Sequence, residues 1–243
     1  MKKKIVKTLA VTTALTIAAA SMVGCGNSGT ADSNADNKAS GDTQAAASDS
    51  KDAKDITGTV TMAGSTSMEK LANSLKEAFG AKYPGISVTA EFTGSSAGIE
   101  SLEAGSVDIG NSSRELSDDE KSQGIVENVV AIDGIAVITD TANDVTKISS
   151  DDLAKVYTGE ITNWKELGGQ DEAIVVVGRE AASGTRGAFI ELFGIEEKDA
   201  DGNKIDNTTE EANITNSTEV MLTSVAGDEY AIGYVSLGSL NDT

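Results

Sequence analysis

Three strand-like runs pass straight into helix-like runs through short turns of glycine, serine and threonine, and this arrangement constrains the chain most. The turns are Gly64-Ser65-Thr66-Ser67, Gly94-Ser95-Ser96-Ala97-Gly98 and Ser183-Gly184-Thr185-Arg186. The first turn of a helix carries unpaired backbone N–H groups and the positive end of the helix dipole, so small hydroxyl residues there can surround an oxyanion with neutral donors. Three such turns converging would cradle a tetrahedral anion.

The flanking patterns fit this reading. Ile56 to Ala63 alternates as a strand does, and Met68, Leu71, Ala72, Leu75, Ala78 and Phe79 follow at helical spacing up to Pro84-Gly85. A second strand is expected over Ile86 to Phe92, a short helix through Ile99, Leu102 and Ala104, and a third strand over Val107 to Gly110. Val129 to Ile138 is nearly all apolar and reads as one long strand, buried on both faces or crossing between lobes. A helix through Leu153, Val156 and Tyr157, a turn at Gly168-Gly169, a buried strand Ile174 to Val177, helices through Phe189 and Val220 to Val225, and a last strand Ala231 to Leu237 complete the pattern. Regular alternation of strand and helix points to βαβ units and a mostly parallel α/β sheet.

The N-terminus has Lys2, Lys3, Lys4 and Lys7, an apolar run from Leu9 to Ala20, and then Met22-Val23-Gly24-Cys25. This is the layout of a secretory leader over 1–24. The Val-Gly-Cys ending resembles the lipobox of bacterial lipoproteins, which makes Cys25, the only cysteine, the expected lipidation site. Two acyl chains anchor stably where one is marginal. Residues 25–55 are Ser, Asp, Asn, Ala, Gly and Lys without apolar periodicity, as in a tether that cannot bury enough surface to order itself.

The formal charge is −20, and loss of the leader's lysines makes the remainder more acidic still. Nucleic-acid binding needs a clustered basic face and is excluded. A field of this sign also repels a small anion at long range. Salt screens distant carboxylates beyond about 8–10 Å, whereas donors in direct contact keep their strength, so the conflict is one of association rate.

Each motif has a plainer reading beside it. Thr66-Ser67-Met68-Glu69 fits a capping box with Thr66 as N-cap, which needs no ligand. Gly94-Ser95-Ser96-Ala97-Gly98 matches a nucleophile elbow, but the chain has no histidine to complete a Ser-His-Asp triad. The third turn follows a buried strand as a phosphate loop does, yet lacks the Gly-Lys-Ser/Thr ending that holds nucleotide and magnesium. Arg179 at the end of that strand can meet an oxyanion in bidentate geometry, or form an ion pair with Glu180. Ser112-Ser113-Arg114 stands where open α/β sheets bind ligands, and Arg114 either complements charge in the cleft or pairs with Glu115. Trp164 reads as packing.

Together these stretches resemble the phosphate-binding lipoproteins of bacterial phosphate ABC importers. The resemblance runs from about Gly58 to Gly238. It rests on the three turns, on Val107-Asp108-Ile109-Gly110 with Ser112-Ser113-Arg114, on Ala131-Ile132-Asp133-Gly134-Ile135-Ala136, on Tyr157-Thr158-Gly159 with Ile161-Thr162-Asn163-Trp164, and on Ala231-Ile232-Gly233-Tyr234-Val235, in the family's order. It implies a two-lobed periplasmic-binding-protein fold joined by crossing strands, with lobe 1 over 56–134, lobe 2 over 135–235, and the start of a return to lobe 1 over 236–243, where the sequence reads as truncated. It implies ligand contacts from Ser65, Thr66, Ser67, Ser95 and Ser96 in the first lobe, with Ser113 and Arg114 beside them, and from Arg179, Ser183, Gly184 and Thr185 in the second. The best-known members carry an aspartate at the position of Ser113, where it accepts the proton of hydrogen phosphate; this chain departs there. The implied protein is no enzyme. It is an exported monomer, lipid-anchored to the outer face of the cytoplasmic membrane, with inorganic phosphate and ABC permease subunits as partners and no cofactor or metal. Sulfate, molybdate or tungstate binding, and phosphoester hydrolysis on a similar fold, are the alternatives.

Overall fold

The computed structural model describes residues 56–200 and 202–240. The expected leader (1–24), tether (25–55) and lipidated Cys25 lie outside the described residues. Strand β1 (Gly58–Gly64) leads through a 3-10 turn (Thr66–Met68) into helix α1 (Glu69–Lys82), and β2 (Ile86–Phe92) leads into α2 (Ser95–Glu103). Then come β3 (Ile109–Asn111), a one-turn helix α3 (Asp118–Ser122) and, after a stretch without regular structure, β4 (Ile135–Thr139) and α4 (Ser150–Thr158). Strand β5 (Val175–Arg179) runs into α5 (Gly184–Leu192), followed by β6 (Glu196–Lys198), β7 (Lys204–Asp206), β8 (Asn213–Thr215), α6 (Thr218–Ala226) and β9 (Ala231–Ser236).

Two sheets result. The first has the order β2-β1-β3 and is parallel throughout. The second has the order β4-β9-β5-β8, with β4 antiparallel to β9 and the other pairs parallel. Hairpin β6-β7 stands apart. The chain therefore enters the second sheet on β4 and leaves it on β9, two neighbouring strands of opposite direction.

The second sheet holds most of the apolar core: Leu153, Val156 and Tyr157 of α4, Phe189 and Ile190 of α5, and Met221 and Val225 of α6 pack around β5 and β9. Phe189 stacks on Tyr234 at 3.9 Å between ring centroids and meets Tyr157 edge-on at 4.7 Å. Trp164 is buried and donates its indole N–H to the Tyr230 carbonyl at 2.8 Å, the packing role read from the sequence.

Three expectations need correction. The third strand begins at Ile109, not Val107, because the Asp108 carboxylate accepts from Thr61 N at 2.8 Å and Thr61 Oγ1 at 2.9 Å and so takes the place of a ladder carbonyl. The apolar run Val129 to Ile138 is a strand only from Ile135. The ladder starts at the pair Ile135–Ser236, where β9 turns away into the 3-10 turn Leu237–Ser239, so the residues before Ile135 have no strand beside them; Val129 is 80% and Ile132 97% exposed. Helix α1 forms where expected, but of its apolar positions only Ala72 is buried, and Leu75 is 51% exposed. A three-stranded sheet offers that helix little surface to pack on.

Candidate functional site

The first turn does not use its hydroxyls as caps. The 3-10 turn inserted between β1 and α1 makes Met68 the N-cap of α1, and neither Ser65 nor Met68 makes a side-chain cap bond. The capping box read from Thr66 and Glu69 is therefore absent, and the hydroxyls of Ser65, Thr66 and Ser67 are left to face other partners. At the second turn Gly94 has φ of +103°, a conformation that favours glycine, and Gly98 lets α2 lie against Gly64 and Ala63 of β1. This places Ser95 at the first position of α2, fully buried. At the third turn Ser183 caps α5, accepting from Arg186 N at 3.2 Å, and Gly184 and Thr185 form its first turn.

The three turns meet. Ser113, following β3, is the hub: its Oγ lies 3.0 Å from Ser65 Oγ, 3.3 Å from Ser95 Oγ and 3.3 Å from Thr185 Oγ1. Ser67 Oγ lies 2.6 Å from Thr185 Oγ1. The backbone also joins the halves, with Ser96 N donating to Ala182 O at 3.1 Å. Hydroxyls from the first-sheet half are thus in direct hydrogen-bond contact with the N-terminus of α5 in the second.

Arg179 is the only guanidinium in this cluster among the described residues, and it is 1% exposed. Of the two readings of it, the ion pair with Glu180 is formed. Its Nε and Nη2 each donate to the Glu180 carboxylate at 2.9 Å, which satisfies the need of a buried charge for a partner. That fork spends the side edge of the guanidinium on Glu180, so a bidentate grip on an anion falls to the terminal edge. There Nη2 reaches Thr66 Oγ1 at 3.0 Å and Nη1 reaches Thr218 Oγ1 at 3.4 Å. The backbone of Arg179 is fixed as well: its N donates to Tyr234 Oη at 3.3 Å, and its carbonyl accepts from Arg186. Burial pushes the Tyr234 phenol well above its ordinary pKa, so this hydroxyl stays protonated and neutral.

Three expected site residues stand one step back. Arg114 forms a two-pronged pair with Glu120 at 2.8 and 2.9 Å, donates to the Glu115 carbonyl rather than its carboxylate, and extends Nη2 to Ser96 Oγ at 3.1 Å. The guanidinium beside Glu120 holds that carboxyl down at about 2. Ser96 is therefore held by Arg114, and Ser183 by its capping role. Ser65, Thr66, Ser67, Ser95, Ser113, Arg179, Gly184 and Thr185 form the cluster itself.

One residue was missed. Thr218, buried at the start of α6, places its hydroxyl 3.1 Å from Thr66 Oγ1 and 3.3 Å from Ser67 Oγ. The signal was present as Ser217-Thr218 directly after a strand, with Ser217 as N-cap accepting from Val220 N, but this turn lacks the glycine that marks the other three.

The chemistry of the cluster is that of a donor site. Its members are hydroxyls, one guanidinium and the first turn of a helix, and no group of three His, Cys, Asp or Glu among the described residues has the arrangement of a metal site. An open surface depression of about 460 Å³ lies elsewhere, and its Asp140, Asp228 and Glu229 disfavour anions.

Comparison with known proteins places the chain in a family. A family model described as a PBP superfamily domain matches residues 14–243. The phosphate-binding protein PstS of Bacillus subtilis is 31% identical over 99% of this chain and 73% of its own length. PstS 2 of Streptococcus agalactiae is 63% identical over a shorter stretch, 29% of this chain and 24% of its own length. Among solved structures, a phosphate ABC transporter substrate-binding protein from Clostridium perfringens with bound phosphate shares 40% identity at a TM-score of 0.70, covering 76% of this chain and 73% of that one. An ABC-type phosphate transport receptor from Vibrio cholerae shares 36% identity at 0.60, with the same coverage. With a buried arginine ringed by hydroxyls from two α/β sheets, and relatives of this kind along nearly its whole length, the chain belongs to the PBP superfamily and, within it, to the family of the PstS phosphate-binding proteins.

Proposed function

We propose that this chain captures inorganic phosphate and delivers it to an ABC permease, acting as an exported binding protein held to the outer face of the membrane through Cys25. The observation that carries the reading is the convergence of Thr66, Ser67, Ser113 and Thr185 hydroxyls, drawn from both sheets, in one cluster that buried Arg179 joins through Thr66. Contacts between neutral hydroxyls are exchanged for contacts to an anion when one is bound, and charge-assisted bonds are roughly twice as strong as neutral ones. The exchange favours the arrangement in which both halves touch the anion, so binding shifts the population toward closure. Each helix terminus supplies ~0.3–1 kcal/mol, or up to ~2 when partly buried. With the hydroxyls and the terminal edge of Arg179, micromolar affinity, about 8 kcal/mol, is within reach.

Capture proceeds without chemistry. The Ser95 and Ser113 hydroxyls have hydroxyls as hydrogen-bond partners, and no histidine exists to activate them. Purified protein is expected to leave an aryl phosphate intact. Isothermal titration with phosphate tests the main reading: one saturable site is expected, strongly weakened in Arg179→Ala and Thr66→Val. Absence of heat with the unaltered chain would remove it.

Ser113 favours a second reading on ligand range. A hydroxyl at the hub accepts a hydrogen bond without repelling a fully ionised anion, so sulfate, molybdate or tungstate can compete. Equal displacement by sulfate would support that range, and Ser113→Asp is then expected to sharpen the preference for phosphate.

A further inference from the structure

We infer that Thr218 is an anion-contacting, specificity-determining residue, a fourth donor that reads a fully ionised oxygen of the ligand. The inference rests on the proposed anion site and extends it to a turn outside the three first recognised. A guanidinium only donates, and a threonine hydroxyl has one proton to give and two lone pairs to receive with. Arg179 Nη1 lies 3.4 Å from Thr218 Oγ1 and Arg179 Nη2 lies 3.0 Å from Thr66 Oγ1, so at both contacts the hydroxyl is the acceptor. With a lone pair of each hydroxyl facing the cation, each proton is turned away from Arg179.

Its neighbours set the direction left to it. Thr218 Oγ1 is 3.1 Å from Thr66 Oγ1 and 3.3 Å from Ser67 Oγ, and either oxygen can donate at each contact, so the hydroxyl faces the junction between the halves, where Ser67 in turn meets Thr185. Two of these hydroxyls cannot both donate into one another. The oxygens of Thr66 and Thr218, 3.1 Å apart and both accepting from the same guanidinium, have one proton more than their mutual contact uses. An ionised oxygen at that point accepts the surplus proton of one and the released proton of the other, together with the terminal edge of Arg179. A protonated ligand oxygen brings its own hydrogen into a place already supplied with donors and is disfavoured there. Thr218 is buried, so its hydroxyl is kept from solvent and turned to the cluster.

The test is phosphate titration calorimetry on the unaltered chain, Thr218→Val and Thr218→Ser, with thermal melts of each without phosphate. Valine keeps the shape and removes the hydroxyl. Thr218→Val is expected to weaken phosphate binding roughly tenfold to a hundredfold, the scale of one hydrogen bond to a charged group. Thr218→Ser is expected to recover most of that loss. The penalty is expected to be larger in mildly alkaline than in mildly acidic solution, since the dianion offers more ionised oxygens; a residue that merely packs would show no such dependence. If the unaltered chain binds and Thr218→Val binds equally well, this inference is overturned while the proposed function stands. If the unaltered chain gives no heat with phosphate, both fall. Should Thr218→Val melt out, methyl NMR of the unaltered chain decides: a Thr218 shift on adding phosphate well beyond that of remote Thr139 and Thr158 supports the contact, and an equal shift refutes it.

Discussion

A methyl group added at Gly184 is expected to separate affinity from stability. Built on the backbone, the new Cβ would sit 2.8 Å from Ser113 Oγ and 2.9 Å from Ser95 Cβ, and closer still to Ser95 Oγ. Ordinary contact between such atoms is roughly 3.5 Å, so the two halves must part by about 0.7 Å or more for Gly184→Ala to be accommodated. All the atoms it meets belong to the first-sheet half, while Gly184 belongs to α5 of the second. The strain therefore falls on the closed arrangement and not on either half alone. Overpacking of this kind costs about 1–3 kcal/mol. That corresponds to a fall in phosphate affinity between about fivefold and a little over a hundredfold. Alanine is the better helix former by up to about 1 kcal/mol, so α5 itself is not weakened. Calorimetry with phosphate and a thermal melt without it measure the two effects. An unchanged Kd would refute the claim that Gly184 lies at the closing contact. A lowered melting temperature without ligand would show instead that the contact belongs to the resting fold.

Other substitutions probe the remaining parts. Arg179→Lys is expected to lose at least tenfold in phosphate affinity, since a single ammonium cannot serve Glu180, Thr66 and Thr218 together and each lost charged hydrogen bond is worth about 1.5 kcal/mol or more; calorimetry reads this directly. For the Arg114–Glu120 pair the folded carboxyl titrates at about 2, below its ordinary 4.5, so its stabilising effect is fully present above 4.5 and is lost as pH falls toward 2. Urea melts of the unaltered chain and Glu120→Gln should differ by on the order of 1 kcal/mol at neutral pH and converge toward pH 2. Gly98→Ala would bring a Cβ to 2.9 Å from the Ala63 carbonyl carbon and lift α2 from β1, costing about 1–3 kcal/mol and lowering the urea midpoint at unchanged slope.

Much of this was legible in the sequence because local chemistry and tertiary placement agreed. Strand β2 ran from Ile86 to Phe92 as its alternation required, and all three Gly-Ser-Thr turns fell at strand-to-helix junctions. What was not legible depended on partners distant in sequence. Val129 to Gly134 has the composition of a strand, but a strand needs a neighbour for its backbone groups, and β9 turns away at Ser236. Hairpin β6-β7 is built from three-residue strands rich in Glu, Lys and Asp, joined by the Lys204–Glu196 ion pair at 2.9 Å, and carries no hydrophobic period. Thr66 looked like a cap because the sequence does not record the 3-10 turn that moves the cap to Met68. Thr218 escaped notice because its turn has serine where the others have glycine.

The pairing of Arg179 with the very next residue has a bearing on transport. A cation that brings its own counter-ion contributes direction without net charge, so the trap is electrically silent until cargo arrives. An incoming dianion then adds net negative charge to a cluster that had none, and the repulsive field of a chain at −20 acts on its approach rather than on the contacts that hold it. Raising ionic strength should accordingly speed loading by veiling the hostile exterior, and leave the dwell time of the cargo nearly untouched.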